Sequence, residues 1–123
     1  MNDIERDSLI KTANLDSLIN NYESLGLQQS LSLLSNEADR RLNYYYNEIM
    51  NRSGINDSSK NILQISQRNW IEFRDLEFQY ISSQFKELSG SMYPKIILIQ
   101  QVKLVAHRVQ ELKRYNKLLL TRE

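Results

Sequence analysis

The residues best equipped for chemistry fall at helical spacings. Asp39, Asn43 and Tyr46 stand at i, i+4 and i+7, and Gln67, Ile71 and Arg74 repeat that pattern, with Asp75 next in line and Trp70 and Phe73 just beside it. Arg108 sits among Leu104, Val105, Val109 and Leu112. Three polar stripes therefore border three apolar seams. The chemistry this predicts is mutual satisfaction. A carboxylate at Asp39 or Asp75 meets a guanidinium at Arg74 or Arg108, and Asn43, Gln67 and a tyrosine hydroxyl complete the hydrogen bonds. Arg68 and Trp70 belong to the same block. Removing one partner of a buried pair costs about 3–5 kcal/mol, so such a network is expected to hold as a unit.

Catalytic constellations are not apparent. His107 is the sole histidine, the residue three before it is Leu104, and the Glu-x-x-His pairs of a di-metal bundle are missing. No Gly-x-Ser-x-Gly turn occurs, and a Ser-His-acid triad would have to recruit His107 from the middle of a helix. Glu72, Asp75 and Glu77 are neighbours on one charged helix and read as solvated. With no cysteine there is no disulfide, no thiolate nucleophile and no Cys-ligated zinc. The expectation is a protein without enzymatic activity, metal or cofactor. "YYY" at 44–46 spans roughly 200° of a helix, so at least one ring must face outward, and Tyr44 is the candidate for partner contact, with packing against the N-terminal segment as the alternative. The turn segments "SGINDSS" and "LSGSMYP" add Asn56, Asp57, Ser91 and Tyr93 as further contact candidates.

These residues need long helices to position them. Gly occurs three times and Pro once in 123 residues, too little punctuation for an all-β fold, while Leu and Ile are abundant. The first dozen residues read as a short helix, and a second helix spans Leu15–Leu25 before Gly26. From Leu27 to Arg52, Leu27, Leu31, Leu34, Ala38, Leu42, Tyr45 and Ile49 form one stripe. After "RSGINDSS", where Ser58 or Ser59 can cap, a third segment runs from Ser59 to Ser89 with Leu63, Trp70, Phe73, Tyr80, Ile81, Phe85 and Leu88 as its apolar face. "SGS" breaks it, and Pro94 suits the first turn of a last helix. There Leu98, Val102, Val105, Val109, Leu112 and Leu119 form a seam, with polar Asn116 where another member would fall. The predicted fold is all-α: an elongated antiparallel bundle of three long helices, each roughly 40 Å long, plus a short N-terminal helical segment. Residues 1–26 form the N-terminal extension and 27–123 the main part of a single domain.

Charge adds little direction. Sixteen Lys and Arg against fifteen Asp and Glu leave a net charge of +1, which creates no field for nucleic acid or an anionic membrane. The first half is acidic in balance, and Lys95–Arg122 holds seven basic residues against one Glu, which reads as a solvated basic face or, less commonly, as a surface for an acidic partner. No apolar run reaches the roughly 18–20 residues of a membrane span, and no signal peptide opens the sequence, so a soluble chain is expected.

"ADRRLNYYYNEI" at 38–49, "QRNWIEFRD" at 67–75, "GSMYP" at 90–94 and "HRVQEL" at 107–112 together resemble, in order and spacing, the lysozyme inhibitor LprI N-terminal domain family. The matching positions are Ala38, Asp39, Leu42, Asn43 and Tyr46, then Gln67, Arg68, Trp70, Arg74 and Asp75, then Gly90 and Ser91, and last Arg108 and Leu112. The Gln-Arg-x-Trp with Arg-Asp block is the most specific, and the resemblance leaves the N-terminal extension outside. Relatives usually carry two cysteines where this chain has Phe78 and Gln100. The resemblance implies a secreted or periplasmic, non-enzymatic protein that binds another protein, a lysozyme in the namesake's case. It supplies no inhibitory residues, because the matched positions read as core and network.

Two functional expectations follow. In one, the chain is an inhibitor or immunity protein that occludes a lysozyme-type or other cell-wall-degrading enzyme in the periplasm or envelope. In the other, favoured by the lack of cysteine and of a leader, it is a cytoplasmic helical adaptor or the immunity partner of an intracellular toxin.

Overall fold

The computed structural model describes residues 2–25, 29–85 and 92–120, and every regular element among them is helical. Five α-helices follow in order: α1 (Asp3–Thr12), α2 (Leu15–Asn20), α3 (Ser30–Met50), α4 (Asp57–Phe85) and α5 (Met92–Leu120), with a 3-10 turn at Tyr22–Leu25 after α2. Local chemistry sets the helix starts. Asn2 and Glu5 form a reciprocal capping box, with the Glu5 amide donating to Asn2 Oδ1 at 2.8 Å. Asn14 Oδ1 accepts from the Asp16 and Ser17 amides at 2.9 and 3.2 Å. At α4 the cap is Asn56, whose Oδ1 accepts from the Ser59 amide at 2.8 Å; Ser58 and Ser59, predicted as caps, are the second and third residues of the helix. The segment expected as one helix over Leu15–Leu25 instead tightens into a 3-10 turn after Asn20. Gly26, Leu27 and Leu88 lie outside the described residues.

The core lies between α3 and α5. Leu31, Leu34, Ala38, Leu42 and Ile49 of α3 meet Val102, Val105, Ala106, Val109 and Leu112 of α5, all at 4 % exposure or less. The alternating three- and four-residue spacing read from the sequence is what lets each helix present one continuous stripe to the other. The C-terminal ends of α3 and α5 meet, and there Arg52 Nη2 donates to Asn116 Oδ1 at 2.6 Å. The polar interruption of the α5 seam thus has a partner, so its amide is not stranded against apolar neighbours.

The N-terminal helices join this same core. Ile10, Leu15, Leu18, Ile19 and Leu25 are buried in one cluster with the α3 and α5 residues. Arg41 Nη2 donates to the Ile10 carbonyl at 2.8 Å, tying the end of α1 to α3. Buried Glu37 holds Arg40, with Nε at 2.8 Å from both carboxylate oxygens, and reaches Arg41 at 3.5 Å. That pairing offsets the cost of a carboxylate out of water.

α4 is packed differently. It lies against α5 and hardly approaches α3. Its only fully buried residue is Gln67. Leu63, Trp70, Phe78, Ile81 and Phe85 are half-buried, but Phe73 and Tyr80, expected on the core face, are exposed. The sequence contains two apolar stripes on this helix, and the single face predicted for it merged members of both. Only one stripe is packed.

Candidate functional site

Between α3 and α4 lies an open groove of about 460 Å³. Asp39, Leu42, Asn43 and Tyr46 of α3 form one wall; Gln64, Gln67, Arg68, Ile71 and Arg74 of α4 form the other. Each wall exists because residues at i, i+3, i+4 and i+7 share a helix face, so the motif spacings noted in the sequence become the two sides of the groove. α4 stands away from α3 here, so the polar residues line a space rather than touching across it.

Behind the α4 wall the polar groups do meet. Arg108 of α5, 5 % exposed, donates through Nε to Gln67 Oε1 at 3.0 Å and through Nη2 to Ser66 Oγ at 3.5 Å. Its Nη1 stands 3.6 Å from Glu111. Trp70 has two cations near its ring: the Arg74 and Arg108 guanidinium carbons lie 5.7 and 5.9 Å from its ring centroid, and Arg74 is also 5.8 Å from Phe78. A guanidinium near an aromatic face is attracted by the ring quadrupole, and Arg74, partly exposed, also keeps its charge in reach of water, which suits a helix face half in the core. That accounts for a tryptophan flanked by arginines inside an otherwise apolar pattern.

The network drawn from the sequence differs from this arrangement in three respects. Asp75 pairs with Arg74 at 3.0 Å, but as its immediate neighbour on α4 and not across the molecule. Among the described residues, Asp39, Asn43 and Tyr46 make no hydrogen bond or ion pair with α4 or α5. Arg68 is exposed and likewise has no ion pair there. The physical reason is the distance between α3 and α4, which the sequence pattern does not encode. Asp39 still senses the opposite wall. Desolvation raises its carboxyl above the ordinary range, and the Arg74 charge opposes that rise. Gln64 and Ser66 were not singled out in advance. Gln64 precedes Gln67 by one helical turn, which was the available signal, whereas Ser66 looks like any solvated serine.

Among the contact candidates, Tyr44 is 51 % exposed and stacks edge-to-face on Tyr45 with centroids 5.1 Å apart. It rims a second concavity, of about 420 Å³, together with Lys11, Arg40, Arg41 and Lys113. Asn56 and Asp57 are exposed at the α3–α4 turn, though the Asn56 side chain is engaged in capping. Ser91 and Gly90 lie outside the described residues, as does the Tyr93 side chain. Among the described residues no cluster of three metal-ligating side chains occurs, and no helix is long and apolar enough to cross a membrane. His107 is an exposed residue 3.8 Å from Glu111.

Comparison with known families decides the affiliation: the model of the lysozyme inhibitor LprI family matches residues 19–112. The chain belongs to the lysozyme inhibitor LprI family. That match takes in α3, α4 and most of α5, and hence both walls of the groove, and it begins within α2. The family is one of inhibitors, with a protein as partner, and not one of catalysts. No curated protein and no solved structure matches the chain.

Proposed function

We propose that this LprI family member is a non-enzymatic binding protein that inhibits a lysozyme-type or other cell-wall-degrading enzyme by occluding its cleft. The family match over residues 19–112 is the observation that carries this reading. In it, the three long helices act as an elongated antiparallel bundle, a rigid scaffold on which the Gln67–Arg108 bond and the cation-flanked Trp70 hold α4 to α5. The contact surface consists of the exposed Tyr44, Asn56 and Asp57, together with Ser91 and Tyr93. Rigid scaffolds commonly present recognition residues this way, because a preorganised surface loses little conformational freedom on binding. The site of action is the periplasm or envelope, where such hydrolases work.

A second reading, a cytoplasmic adaptor or the immunity partner of an intracellular toxin, takes its support from the cysteine-free sequence, since disulfides are common in oxidising compartments and rare in the cytosol. One experiment separates the two. The purified chain is titrated into lysozyme and other peptidoglycan hydrolases, with cell-wall clearance and direct binding read together. Stoichiometric loss of hydrolase activity at micromolar chain is expected; absence of binding to every hydrolase tried would overturn the inhibitor reading.

A further inference from the structure

The second stripe of α4 is unpartnered. Ile62, Ile65, Phe73, Leu76 and Tyr80 are 64, 47, 49, 64 and 60 % exposed, and Asn69 completes the row. The steps from 62 through 65, 69, 73 and 76 to 80 average one helical turn, so the row runs straight along the axis for roughly 27 Å. It lies roughly 135° round the helix from the face packed on α5. A row of five large apolar side chains on one solvent face, interrupted by Asn69, is more than scattered surface exposure requires.

From the charges flanking this row, we infer that it is covered by a second copy of this chain, α4 against α4 in antiparallel orientation, with the two-fold axis between Asn69 and Phe73. The row is nearly self-complementary about that axis. Ile62 comes opposite Tyr80 of the second copy, Asn69 opposite Phe73, and Ile65 beside Leu76. In an antiparallel pair each flank meets its own equivalent. One flank carries Arg68 and Glu72, both exposed and neither ion-paired among the described residues. In this register Arg68 of each copy reaches Glu72 of the other, giving two symmetric pairs, while Asp75 is already held by Arg74. On the other flank Glu77 comes level with Ser66, so like charges do not meet. A parallel pair would instead bring Glu72 against Glu77 across the interface, which is repulsive.

An interface of one helix per copy falls near the small end of stable contacts, about 1,200 Å². This inference does not rest on the inhibitor reading. The test is sedimentation equilibrium of the full chain across micromolar concentrations at low salt, with circular dichroism to verify folding. A monomer–dimer equilibrium is expected. Leu76→Glu should abolish it, Arg68→Glu should weaken it about tenfold or more, and Arg68→Glu combined with Glu72→Arg should recover it. All these side chains are exposed or peripheral, so the variants should retain native helicity. A chain monomeric throughout, or a dimer indifferent to Leu76→Glu or not recovered by the double charge swap, would overturn the proposal. So would a monomer whose Leu76→Glu variant fails to bind a hydrolase that the parent binds, since the row would then belong to that partner.

Discussion

Two residues illustrate how a single polar group carries the behaviour of this site. Gln67 is the one buried residue of α4, and its amide oxygen is the closest acceptor of the buried Arg108. Gln67→Ala leaves a guanidinium with a lost bond in a place water reaches poorly. A loss of about 1.5–3 kcal/mol is expected, the range for hydrogen bonds to charged groups, measured as a lower urea midpoint at unchanged slope. Asp39 behaves in the opposite sense. Its carboxyl is raised by desolvation, so the folded state takes up a proton more readily than the unfolded chain. The stability this contributes is complete below the ordinary carboxylate range and is lost as pH rises through the raised value. Asp39→Asn removes that dependence. Its stability relative to the parent should therefore increase across the acid range and level off toward neutrality, as followed by thermal melts at a series of pH values.

At the scale of elements, α1 shows how much of the fold lies outside the most recognisable motifs. The family match begins within α2, yet Ile10 is buried with the α3–α5 core, and the Ile10 carbonyl receives a hydrogen bond from Arg41. Deleting residues 1–13 uncovers that part of the cluster and leaves Arg41 with Glu37 as its partner among the described residues. A lower denaturation midpoint and increased binding of a hydrophobic dye are expected; a truncated chain as stable as the parent would mean that α1 is an appendage. α4 is the converse case. It is as long as α5, but its attachment depends on half-buried side chains and one buried amide, so its outer row is available for association. Leu34 and Leu76 show the difference: both are leucines at helical spacing, one fully buried and the other 64 % exposed.

For the whole molecule, inhibition and self-association are separable in this picture, because the contact candidate Tyr44 lies on α3 and not on the α4 row. A Leu76→Glu monomer is therefore expected to keep its effect on a hydrolase while losing its partner copy, read by hydrolase titration and by sedimentation. The all-helical class, the α3 and α5 seams and the family were legible in the sequence, because helical periodicity is a local property: which residues share a face depends only on their spacing. The partners of those faces were not legible. Spacing put Asp39, Asn43 and Tyr46 on one stripe and Gln67, Arg68 and Arg74 on another, but the gap between α3 and α4, which makes a groove where a closed network was expected, depends on how both helices settle on α5. Likewise Phe73 and Tyr80 are as apolar as Trp70 and Ile81, and the sequence gives no reason to prefer either set. Only the tertiary packing chose, since α5 can cover one side of α4 and leaves the other to water or to a second chain.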